Sequence, residues 1–81
     1  MKNFISDLIK KFLSDKKIFI EINDDTALMS SGILDSMDIF AICLDIQKKY
    51  NFKYFDFESD MHRIDTINGI YEVLNEKKQK T

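Results

Sequence analysis

Proline is absent from this sequence, and there are only two glycines, one cysteine, one histidine and no tryptophan. Each shortage excludes something. Without proline and with so little glycine, the chain lacks the turn chemistry of a sandwich or barrel, which leaves helices as the favoured element. A lone cysteine cannot build a disulfide framework, which suits a reducing, cytoplasmic setting. Cys43 and His62 alone cannot assemble a zinc site of the Cys/His type, so no metal is expected. No apolar run is long enough to cross a membrane, and Met1-Lys2-Asn3-Phe4 lacks the small-residue pattern of a cleavage site. Neither membrane insertion nor a signal peptide is expected.

What is present reads as one packed domain spanning 1–81. Hydrophobic residues make up 44% of the 81, and seven are phenylalanine, a composition of globular rather than disordered chains. A domain this small buries only about 60–65% of its unfolded surface, so the fold must be economical.

The net charge of −2 conceals an asymmetry. Residues 1–20 hold five lysines against two aspartates, whereas residues 21–45 hold Glu21, Asp24, Asp25, Asp35, Asp38 and Asp45 and no basic residue. An acidic centre argues against nucleic acid as a ligand and for a basic protein partner, although a solvated acidic loop accounts equally well for Glu21, Asp24 and Asp25.

Helical periodicity organises the chain. Phe4, Ile5, Leu8, Ile9, Phe12 and Leu13 share one face, predicting a helix over about 3–15 with Asn3 as N-cap and its lysines on the solvent side. Residues 16–34 form a long connection, in which the β-branched Ile18-Phe19-Ile20-Glu21-Ile22 is ambiguous between extended chain and loop. Connections of that length are uncommon in compact domains and are usually functional. A second helix is expected over about 35–50, ended by Asn51, which tolerates a left-handed conformation. Phe52 and Tyr54 are expected to point inward. Ser59 or Asp60 is a candidate cap for a short helix over about 59–64, and Asp65-Thr66 for a last helix over about 66–77. Gly69 inside that helix suggests close packing.

The second helix carries two apolar arcs when projected at about 100° per residue. Ile39, Ile42, Cys43, Ile46 and Tyr50 form one, assigned to the core, which makes Cys43 a buried hydrophobe rather than a nucleophile. Met37, Phe40, Ala41 and Leu44 form the other. Either the helix is central and packs on both sides, or this arc stays partly exposed and docks partner proteins beside Ser36. Ser36 itself has two readings: a helix cap, or the attachment point of a group. A catalytic serine is disfavoured, because the sequence supplies neither a partnered histidine nor the glycine that follows serine in a nucleophile elbow.

Gly32-Ile33-Leu34-Asp35-Ser36-Met37 resembles the phosphopantetheine attachment motif of acyl carrier and peptidyl carrier proteins. The order helix, long loop, helix, short helix, helix ending in Asp65-Thr66-Ile67 is similar too, so the resemblance spans nearly the whole chain. The wording Gly-Ile-Leu-Asp-Ser is most similar to the small discrete aminoacyl carriers, such as D-alanyl carrier proteins. Fatty-acid-synthesis carriers have a strongly acidic second helix, whereas here that helix ends in Lys48 and Lys49.

The resemblance implies an all-α, four-helix bundle that performs no chemistry itself and is a monomer. Ser36 would accept 4′-phosphopantetheine from coenzyme A through a phosphopantetheinyl transferase using magnesium. The arm would hold an acyl or aminoacyl group as a thioester between a loading enzyme and a downstream acyltransferase or synthase. Asp35 would aid the transferase, and Met37, Asp38, Phe40, Ala41 and Leu44 would face partners. The alternative is an unmodified helical interaction module in which Ser36 only caps the helix.

Overall fold

A computed structural model describes residues 1–51 and 60–80, with side chains as far as residue 76. Among these the chain is all-helical. Three α-helices, α1 (Lys2–Asp15), α2 (Ser36–Tyr50) and α3 (Ile67–Lys80), are joined by a long connection and by a 3-10 turn at Met61–Arg63. The inward choices Phe52 and Tyr54, and the cap candidate Ser59, lie outside the described residues.

Helix α1 buries Ile5, Ile9 and Leu13, the three- and four-residue spacing that places them on one stripe. Asn3 does not cap it. The N-cap position falls on Met1, with no side-chain bond, and Asn3 sits within the first turn as an exposed helical residue. Helix α2 buries Ile39, Ile42, Cys43 and Ile46 and stops at Asn51, whose φ of 57° and ψ of 45° are left-handed. Asparagine adopts that region at lower cost than most residues.

Helices α1 and α2 run antiparallel. The Phe4 ring, near the start of α1, meets Tyr50 at the end of α2 edge-on, with centroids 5.9 Å apart. At the other end Lys16, just past α1, pairs with Asp38 in the first turn of α2. Helix α3 packs against α1 and against the 3-10 turn.

Between α1 and α2 the chain first doubles back. Lys17 takes a positive φ of 61°, and residues 18–23, which form no helix or strand, then lead back along α1 until Asp24 reaches Lys2 at 3.3 Å. Six residues can reach about 20 Å, close to the length of a helix of this size. Leu28 and Leu34 then turn into the core beside Ile64, Ile67, Ile70, Val73 and Leu74. The connection is therefore a structural layer of the domain.

Thr66, rather than Asp65, caps α3: the Gly69 N–H donates to Thr66 Oγ1 at 2.9 Å. Gly69 is needed for closeness. A Cβ placed there would sit 1.8 Å from the carbonyl oxygen of Arg63, so α3 can lie against the 3-10 turn only without a side chain at this position.

Candidate functional site

Ser36 is the first residue of α2, and Asp35 is its N-cap. The Asp38 N–H donates to Asp35 Oδ1 at 2.9 Å, and the Asp35 N–H donates to Asp38 Oδ2 at 3.3 Å. The two aspartates thus close a reciprocal capping box and satisfy backbone donors that a helix start leaves orphaned. The backbone N–H of Asp38 is the main reason the Asp35 carboxyl lies below its ordinary range, as expected for a carboxylate at the positive end of a helix.

This arrangement separates the two readings of Ser36. The capping work is done by its neighbours. Ser36 is exposed, and among the described residues its hydroxyl takes part in no side-chain hydrogen bond.

The approach to Ser36 is held from behind. Asp65, the residue ahead of the α3 cap, grips the connection through backbone and side chain together. Its carbonyl accepts from Leu28 N–H at 2.7 Å. Its Oδ1 accepts from Met29 N–H at 2.5 Å and Ser30 N–H at 3.0 Å, and its Oδ2 from the Ser30 hydroxyl at 2.6 Å. Burial pushes the Asp65 carboxyl up, but these bonds from Ser30, Met29 and Leu28 outweigh it and hold the group below its usual range. From this anchor the chain turns through Gly32, whose N–H donates to Met29 C=O at 3.0 Å and whose φ is +83°. No side chain would clash at Gly32; the left-handed backbone alone calls for glycine. Leu34 N–H then donates to Leu28 C=O at 2.9 Å, pinning the residue before Asp35 to the core.

The second arc of α2 is partly open. Met37 is 70% exposed and Leu44 38%, while Phe40 and Ala41 between them are half-buried. Met37 therefore stands free directly beside Ser36, and the arc shelves down into the domain along the helix. Asp38 is tied inward, its Oδ2 lying 3.0 Å from Lys16 Nζ, so part of the acidic character expected around Ser36 is balanced by a lysine from α1.

Lys16 and Asp65 were not among the site residues inferred from the sequence. Both act across long sequence separations, and no local spacing announces them. Cys43 is buried, and that burial pushes its thiol up to about 12, which leaves it protonated and unreactive near neutrality. His62 is exposed on the 3-10 turn, and neither it nor Cys43 hydrogen-bonds Ser36. Among the described residues no cluster of His, Cys, Asp or Glu could hold a metal ion, and no helix is long and apolar enough to cross a membrane.

No protein-family model matches the chain, and no curated protein or solved structure is similar to it.

Proposed function

We propose that this chain is an acyl or aminoacyl carrier of the four-helix type, working in the cytoplasm and modified at Ser36 with 4′-phosphopantetheine. The observation that carries the reading is an exposed serine at the first position of α2 whose capping duties are taken by Asp35 and Asp38. A serine serving only the helix would be the residue that accepts the N3 N–H.

The residues fit the group. The Ser36 hydroxyl is open to a transferase and free of competing side-chain bonds. In the transfer Ser36 Oγ would lose its proton and form a phosphodiester, with the remainder of coenzyme A leaving as the nucleotide. Bound, the group supplies a thiol that holds cargo as a thioester on a long arm. Asp35 keeps its charge beside the serine for recognition by a basic partner. Met37, Leu44 and the half-buried Phe40 and Ala41 offer apolar contact to the phosphopantetheinyl transferase, the loading enzyme and the acyltransferase or synthase that follows. The flexible methionine side chain suits serial partners of different shape.

Labelling tests this reading. The protein is incubated with a fluorescent coenzyme A derivative, magnesium and a broad-specificity phosphopantetheinyl transferase, then run on a denaturing gel. A covalently labelled band supports the carrier. A folded sample that several such transferases leave unlabelled favours the unmodified interaction module instead.

A further inference from the structure

Lys16 is set at the serine end of α2 by a defined backbone motif. Its N–H donates to Phe12 C=O at 3.1 Å, the Lys17 N–H to Ser14 C=O at 2.9 Å and the Ile18 N–H to Leu13 C=O at 2.8 Å. With Lys17 left-handed at a φ of 61°, these bonds close α1 in the way that commonly employs glycine at that position. Lys16 Nζ then lies 3.0 Å from Asp38 Oδ2, the same oxygen that accepts the Asp35 N–H at 3.3 Å. One carboxylate oxygen therefore joins the Lys16 ammonium to the backbone immediately ahead of Ser36. Among the described residues this is the one ion pair that α2 makes, and residues 21–45 contain no lysine or arginine.

The charge balance of the site turns on this lysine. Ser36 stands in sequence between Asp35 and Asp38, and the charge of Lys16 is one of the causes that hold the Asp35 carboxyl below its ordinary range, after the Asp38 N–H. Its field thus reaches the residue before Ser36 as well as Asp38. A phosphodiester on Ser36 would bring a further negative charge to the same helical turn. The positive end of α2 offsets part of that charge, and the remaining repulsion calls for a cation within reach. The Lys16 side chain is 42% exposed, and its flexible four-carbon stem lets the ammonium turn without moving the backbone.

We infer that Lys16 is the counter-charge for the group on Ser36, an ammonium shared between Asp38 and the phosphodiester that holds the root of the arm toward the end of α1. The inference rests on the carrier reading and adds to it a residue from outside α2. Lys16 is a positioning residue: it forms no bond in the transfer and acts only through the charge it faces.

Two measurements test it, with circular dichroism confirming that each variant is folded. In the first, Ser36→Glu places a titratable carboxyl at the site, and its proton affinity is read by NMR with and without Lys16→Gln. Removing the ammonium should raise that affinity about threefold at low salt, whereas Lys16→Arg should leave it unchanged. In the second, wild type and Lys16→Gln are unfolded by denaturant before and after loading with phosphopantetheine. Loading should lower the folding constant of Lys16→Gln about threefold more than that of the wild type, and about 1 M salt should erase the gap. A lysine that only braces α1 against α2 would affect loaded and unloaded protein equally. A proton affinity indifferent to Lys16→Gln would overturn the role of Lys16, and so would equal effects of loading on the two proteins. A wild type that gains no phosphopantetheine would instead overturn the carrier reading beneath it.

Discussion

Asp35 and Asp38 hold each other across the first turn of α2, each carboxylate accepting the other's backbone N–H. Ser36 stands between them and is needed by neither. Stability and function should therefore separate at adjacent residues. Ser36→Ala should change unfolding free energy by no more than about 0.5 kcal/mol, as for surface sites without special partners. Asp35→Ala should lower the melting temperature measurably, because it opens the box. Thermal unfolding of the two variants beside the wild type checks this.

Asp65 should give the domain an acid-sensitive anchor. Its carboxyl is held below the ordinary range in the folded state by the bonds from Ser30, Met29 and Leu28. Its contribution is thus complete above the unfolded carboxylate value of about 3.9 and is lost as pH falls through the lower folded value. Asp35 shifts in the same direction and adds to the same window. Asp65→Asn keeps one acceptor oxygen but cannot accept the Ser30 hydroxyl proton on nitrogen. It should cost about 1–2 kcal/mol at neutral pH. Denaturant unfolding from pH 7 to pH 2 should show the gap between variant and wild type closing on the acid side.

The two glycines should fail for opposite reasons. Gly69→Ala gains about 1 kcal/mol of helix propensity yet forces a methyl into the Arg63 carbonyl, and the net effect should be a loss of about 1–3 kcal/mol. Gly32→Ala meets no atom within 4 Å and should cost about 1–2 kcal/mol through its left-handed backbone alone. Asparagine, which tolerates that region, should be better accepted than alanine at position 32 but not at 69. Comparing the four variants by chemical denaturation distinguishes crowding from backbone strain.

Met37 should matter to partners and little to the fold. It is 70% exposed beside Ser36, so Met37→Glu should keep stability within about 0.5 kcal/mol. If the exposed arc docks the transferase, kcat/KM for modification should fall about tenfold or more, the scale of a hot-spot contact. An unchanged kcat/KM would move the docking surface elsewhere.

Much of the fold was legible because it is local. The three-and-four spacing of Ile5, Ile9 and Leu13, and that of Ile39, Ile42, Cys43 and Ile46, identifies the buried face of each helix without further information. The left-handed stop at Asn51 follows from one residue's conformational tolerance. The connection was harder to read. Leu28 lies in that connection without helical periodicity around it, yet it is fully buried, held there by Asp65 from far along the chain. Such pairing leaves no periodic trace. The dipeptide Asp65-Thr66 reads as a cap in sequence, but only the structure divides its labour, Thr66 serving α3 and Asp65 serving the connection. At the site, Ser36 and Asp35 were visible as a motif, whereas the capping box that frees Ser36 and the Lys16 contact that balances Asp38 required coordinates.

Covalent modification of Ser36 changes the protein's mass, and intact-mass spectrometry reads that change. Wild type, Ser36→Ala and Asp35→Ala are each incubated with coenzyme A, magnesium and a phosphopantetheinyl transferase after circular dichroism has shown them folded. The wild type should gain one phosphopantetheine, Asp35→Ala should gain it more slowly, and Ser36→Ala should gain none. No gain on the wild type, or an equal gain on Ser36→Ala, would contradict modification at Ser36.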